Sequence, residues 1–191
     1  VGTVSNTTPG ASFTTSSLSA TQKSYYYNLQ YNSKDHFSVT YGHIAGSGSA
    51  VETATQEGTT QAIYKQFFNF VENKAENLRD GTGWIMIDGT DGTNAVTQSD
   101  VYILSAERLQ MKDRLNPGTW TVTLSGTNTA GAPVDVYLTD DSKTSDPITP
   151  GSPFGEVYSI IYGSAGVASS ADVTFGKFYP NAGILVSSAI E

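Results

Sequence analysis

Two rhythms of apolar and polar residues divide the chain. From Tyr25 to Leu29 and from Phe37 to Tyr41, aromatic and β-branched residues alternate with small polar ones, the two-residue period of half-buried strands. The turn-forming run Asn32-Ser33-Lys34-Asp35 between them predicts a hairpin. Alternation places Phe37, Val39 and Tyr41 on one face of the second strand and Ser38 and Thr40 on the other, with Gly42 breaking the pattern. Gly46-Ser47-Gly48-Ser49 then suits a tight loop or the close approach of another backbone, since glycine takes positive φ at little cost.

From Thr59 to Arg79 the period lengthens. Ile63, Phe67, Phe70, Val71, Lys74 and Leu78 recur at helical spacing, with Tyr64, Phe68 and Ala75 widening the stripe. The spacing predicts one amphipathic helix over about 59–79, capped by Thr59 or Thr60, ended near Gly81 and packed across a sheet. Short strand candidates follow at Trp84–Ile87, Asp100–Ser105, Thr119–Leu124, Val134–Leu138, Glu156–Tyr162, Val173–Tyr179 and Gly183–Ser187. Turn clusters separate them at Asp88–Gly92, Asn116–Gly118, Gly126–Pro133 and Asp140–Pro153, while Ala106–Leu115 fits an exposed strand or a short helix equally. The fold class expected is mainly β, sandwich-like or a twisted antiparallel sheet, with one packed amphipathic helix.

The polar, glycine-punctuated stretch 1–22 reads as an extended N-terminal arm, docked on a neighbour or loose, and 23–191 as a single β-rich domain. Val1 is not an initiator methionine, so the chain reads as a piece of a longer polypeptide.

Composition narrows the partners. Charged residues make up 15% of the chain, against roughly a quarter in an average soluble domain, and Ser, Thr, Gly and Asn take their place. A net charge of -8 repels polyphosphate, so no nucleic-acid partner is expected. No apolar run approaches the ~20 residues of a membrane span, so no membrane insertion is expected. The chain has no cysteine, which removes disulfides and thiolate metal sites.

The chemistry-bearing residues form no recognisable constellation. His36 and His43 stand seven apart without further ligands at metal spacing, and Asp35-His36 lacks a Gly-x-Ser-x-Gly nucleophile. The loop after Tyr41 lacks the Gly-Lys-Ser/Thr ending of a phosphate loop. Asp88-Gly89-Thr90-Asp91-Gly92-Thr93-Asn94 carries glycine where a calcium loop needs carboxylates, and reads as a hairpin turn. No catalytic, metal or cofactor site is expected. The candidates are interface or loop-forming residues: Tyr41, Gly42, His43, Gly46, Ser47, Gly48 and Ser49, with His43 holding the loop.

Several strings carry a resemblance. Tyr41–Ser49 followed by Thr60–Phe67, then Asp100–Leu104, Asp113–Trp120, Tyr137–Ser142 and Phe178–Ile184, resemble in the same order segments of large virion structural proteins of T-even-like contractile-tailed phages, especially those infecting cyanobacteria. The resemblance spans about Tyr25 to Val186. It implies a non-enzymatic structural component of the virion, acting in assembly through contacts with copies of itself and with other virion proteins. Tail and baseplate rank before capsid and neck. Trp84, Trp120 and the many tyrosines keep open a carbohydrate- or host-receptor-binding module. A hydrolase of wall polymers would need a carboxylate pair or Ser/His pair in one cleft.

Overall fold

A computed structural model describes residues 14–15, 26–46, 54–71, 85–88, 95–111, 113–128, 130–147, 155–169 and 174–188. Among the described residues, twelve strands and one helix run in the order β1 (Thr14–Thr15), β2 (Tyr26–Tyr31), β3 (Lys34–His43), α1 (Ala54–Val71), β4 (Ile85–Asp88), β5 (Ala95–Gln98), β6 (Asp100–Ala106), β7 (Val122–Thr127), β8 (Pro133–Asp140), β9 (Tyr158–Ser164), β10 (Val167–Ala168), β11 (Thr174–Tyr179) and β12 (Ile184–Ser188). The expected mainly β fold with one helix holds. The large sheet is antiparallel, in spatial order β1-β2-β3-β6-β12-β11-β9-β8-β7, with β10 attached to β9, and β4 and β5 form a separate pair.

Each junction follows from local chemistry. The β2–β3 hairpin turns on Asn32 and Ser33 alone, both at positive φ (49° and 59°), which gives the two-residue turn whose twist matches its flanking strands. Lys34 and Asp35, read as turn residues, already belong to β3. Ala165 and Gly166, at φ 48° and 75°, turn β9 into β10 in the same way. Asp88 pairs with Ala95, so the run between them connects a hairpin as expected, although 89–94 lie outside the described residues.

Two apolar clusters fill the two faces of the sheet. Under α1, Tyr64 meets Val101, Ile103, Val157, Tyr179 and Val186. On the opposite face Leu138, Tyr158, Ile160, Phe178 and Leu185 form a second cluster, joined by Leu104, Leu115, Trp120, Val122 and Val136. This separation is the period of two made three-dimensional: Val101 and Ile103 point to the helix, and Leu104 points away from it.

The helix begins five residues earlier than expected. Thr59 and Thr60 lie inside it rather than at its cap, and Thr60 is fully buried. Packing overrides the weak propensity of threonine here, because Thr60, Ile63, Tyr64, Phe67 and Phe68 form the inward stripe while Gly58, Ala62, Lys65 and Gln66 face solvent. Residues 72–79 and Gly81 lie outside the described residues. So does all of the arm 1–22 except Thr14–Thr15, which pairs with Leu29 and Gln30 of the chain's own sheet. Ala106–Leu115 is neither an exposed strand nor a helix beyond Ala106: it turns over 108–110, exposing Leu109 and burying Met111. The strand expected at 119–124 starts only at Val122.

Candidate functional site

Of the residues singled out in the sequence, Tyr41, Gly42, His43 and Gly46 lie where β3 ends against α1. Gly42 does not break the strand. It continues in β3 opposite Val101, and its missing side chain is what admits the helix. A Cβ there would lie 3.0 Å from the backbone nitrogen of Tyr64, 3.1 Å from its Cα and 3.2 Å from Ile63 Cγ2. The Tyr64 hydroxyl, at the far end of the same contact, donates to the carbonyl of Gln98. Glycine is therefore required here for close approach, not for positive φ.

Beyond Gly42 the chain is held by His43. The Ala45 N–H donates to His43 Nδ1 at 3.1 Å and the Gly46 N–H to the His43 carbonyl at 3.0 Å, with Gly46 at φ 73°. Ile44 donates to Ser99 and accepts from Gln61 Nε2 of the helix. The Ala45 and Gly46 bonds both tie the turn after β3 back to His43. Ser47, Gly48 and Ser49 lie outside the described residues.

Tyr41 sits one residue before Gly42, on the other face. Its hydroxyl donates to Asp100 Oδ1, and its ring packs at a tilt on Tyr102, 5.3 Å away. Burial first, then the hydrogen bond and the charge of Asp100, push the Tyr41 hydroxyl well above the ordinary phenol range. Tyr27 and Tyr102 are raised too, again chiefly by burial. This arrangement keeps phenols protonated, which is the opposite of activating one as a base or nucleophile.

A second locus was missed as a unit. Three of the recognisable strings, 113–120, 137–142 and 178–184, meet at one end of the sheet. Asp140, fully buried, accepts the Gly118 N–H on both carboxylate oxygens at 2.9 Å and the Ser142 N–H at 3.1 Å. Thr139, also fully buried, donates to the Trp120 carbonyl and accepts from the Gly166 N–H, both at 2.7 Å. Gly118 and Gly166, both at positive φ, press together so closely that a Cβ on Gly166 would lie 2.6 Å from the Gly118 Cα. Lys143 donates to the Ala165 carbonyl, Thr121 joins Ala165 and Ser164, and Leu115 donates to Pro180. The signal was present in part: an Asn-Pro-Gly turn and an Asp-Asp-Ser turn were both legible, but not that one carboxylate would cap the other turn. This knot also explains why β7 starts late, since Trp120 and Thr121 are committed to it.

No family model, characterised protein or solved structure matches the chain.

The remaining chemistry candidates are separated by the fold. His36 and His43 both lie on β3, seven residues or roughly 23 Å apart along the strand, with His36 at the bulge of the β2–β3 ladder and its ring edge-on to Tyr31. Asp35 does not orient His36; it accepts from Asn28 Nδ2 and Gln30 Nε2, each at 2.7 Å. Among the described residues, no three His, Asp or Glu side chains are grouped to hold a metal ion. Trp120 packs against Phe178 in the second core cluster, 5.2 Å between ring centroids and 67° between ring planes, with its Nε1 buried. Trp84 lies outside the described residues.

Proposed function

We propose that the chain is a non-enzymatic structural subunit of a contractile-tailed phage particle, in the tail or baseplate, working through contacts with copies of itself and with other virion proteins. The observation that carries this reading is the use to which the recognisable strings are put. Gly42, His43, Gly118, Thr139 and Asp140 each fix one backbone segment against another, so the strings that resemble virion proteins serve to build a rigid body. The low charge of the chain suits packing against neighbours.

Mass spectrometry of purified particles, followed by locating the chain in an image reconstruction, tests the reading. Its presence at fixed copy number in the tail or baseplate is expected; a capsid or neck position would move the assignment. If particles lacking the chain assembled full tails and infected normally, the architectural role would be lost.

A glycan-binding reading is supported by one observation, the half-exposed Tyr102 ring lying on Tyr41 beside Asp100. Glycan arrays probed with the native chain and with Tyr102→Ala decide it: binding lost in the variant supports it, and no binding removes it.

A further inference from the structure

The β7–β8 hairpin outruns its own core. β8 pairs with β9 only through Leu138, Thr139 and Asp140, so Pro133–Tyr137 and the residues opposite them on β7 project as a two-stranded ribbon. One face of that ribbon is apolar along its whole length. Val122 pairs with the buried Leu138, Leu124 with Val136, and Gly126 with Val134, so the face begins in the second core cluster and ends in water, with Leu124 36% and Val134 41% exposed. A lone hairpin is marginal in water, and an apolar face that continues past its core is a surface awaiting cover.

The two edges of the ribbon differ. On the β8 side, Pro133 and Asp135 obstruct strand addition, a proline without an N–H and a charge. On the β7 side, the sheet ends without a further strand among the described residues, and Val-Thr-Leu-Ser-Gly-Thr contains no charge, no proline and no bulge. Gly126 adds a second mark. Its φ is not positive and nothing lies within 4 Å of where its Cβ would be, so nothing among the described residues requires glycine there. A glycine in a strand without such a cause fits a place where another backbone approaches.

We propose that β7 is an interface strand that pairs antiparallel with β7 of a second copy, joining two sheets into one. Charge selects a second copy as occupant. Each chain carries a net charge of -8 that opposes association through its charged surface, whereas no residue from Leu115 to Val134 is charged, so β7 against β7 sets no carboxylate opposite another. Leu124 and Val134 of each copy then lie beside the seam and gain cover from the partner's equivalent face. This deepens the proposed function and rests on it only for what the pairing is used for.

Sedimentation equilibrium of the full chain, compared with a Leu124→Lys/Val134→Lys double variant, tests the pairing. Both positions are exposed, so the double variant is expected to keep the native circular dichroism spectrum. The native chain should reach twice its 20.3 kDa, and the double variant should associate at least tenfold more weakly. Because the chain has no cysteine, a spin label on Ser125→Cys reports the seam alone. Strands at ~4.8 Å spacing put two such labels within roughly 20 Å, and a label on Leu109→Cys gives a longer distance. A native chain that stays monomeric, a dimer that survives both lysines, or a dimer with no short distance at Ser125 overturns the inference. A chain found in particles but monomeric alone sinks the pairing and leaves the proposed function standing; a β7-paired dimer absent from particles does the reverse.

Discussion

Replacing Gly42 by alanine should destabilise the protein, although alanine suits a strand better than glycine does. Gly42 is not at positive φ, so the backbone would accept a side chain, and the loss of unfolded-state freedom would favour alanine by about 0.4–1 kcal/mol. Against this stands the new methyl, 3.0 and 3.1 Å from the Tyr64 backbone. What it meets is helix backbone, not the flexible end of a side chain, and Tyr64 is fully buried with its hydroxyl anchored on Gln98. The helix must therefore shift as a body or the core must open, a cost of about 1–3 kcal/mol for overpacking. The net loss is about 1–2 kcal/mol, which lowers the melting temperature by ~2–8 °C for a domain of this size. Gly58 supplies the control. It lies in the same helix, exposed, with nothing within 4 Å of an added Cβ, so Gly58→Ala should stabilise by about 0.5–1 kcal/mol. Thermal and urea unfolding followed by circular dichroism would read both. Equal or same-sign shifts, or a stable Gly42→Ala protein, would refute the claim that the strand is glycine because the helix sits on it.

Asp140→Ala should cost about 2–4 kcal/mol, measured by urea unfolding, because the buried Gly118 N–H loses its acceptor; Asp140→Asn, which keeps one oxygen, should cost less. The Asp141 carboxyl is raised chiefly by burial, so its charged form is disfavoured in the fold and its contribution, present below the usual carboxylate range, is lost as pH rises through its folded value. Asp141→Asn should therefore raise the melting temperature at pH 7 relative to the native chain, and the gain should vanish near pH 3. The raised phenols act at the other end. Tyr27, Tyr41 and Tyr102 hold their protons longer folded than unfolded, so stability falls as pH climbs above the ordinary value of 10.0. Absorbance at the phenolate band should show late-titrating tyrosines, and Tyr41→Phe should flatten the alkaline loss; an unchanged slope would refute the Tyr41 assignment.

What was legible in the sequence is what local chemistry decides. The strand alternation of Phe37–Tyr41, the Asn-Ser turn and the aromatic stripe of the helix each follow from neighbours within a few residues. The misplaced features depend on distant partners. Thr60 falls inside the helix because a core lies beneath it, Gly42 stays in its strand because Tyr64 comes to it across 22 positions, and Val122 opens β7 because Trp120 is bonded to Thr139. Tyr41 was legible as a strand residue but not as the donor to Asp100, 59 residues away.

The order of strands also sets an order of events. On one side of the sheet lie β1, β2, β3 and β6, and on the other β12, β11, β9, β8 and β7, so each side is drawn from one continuous half of the chain. Among the described strands, the β6–β12 ladder, Val101–Ser105 against Ile184–Ser188, is the hydrogen-bonded seam between the halves, backed by the packing of Tyr64 on Val157 and Tyr179. The β7–β12 half forms from short loops, whereas the β3–β6 ladder closes a loop of some sixty residues and the seam one of some eighty, the slow kind of contact in folding kinetics. Substitutions in the β3–β6 and β6–β12 ladders should thus weigh most on the folding rate, and a chain cut near Asp113 should reassemble from its two pieces like a split reporter.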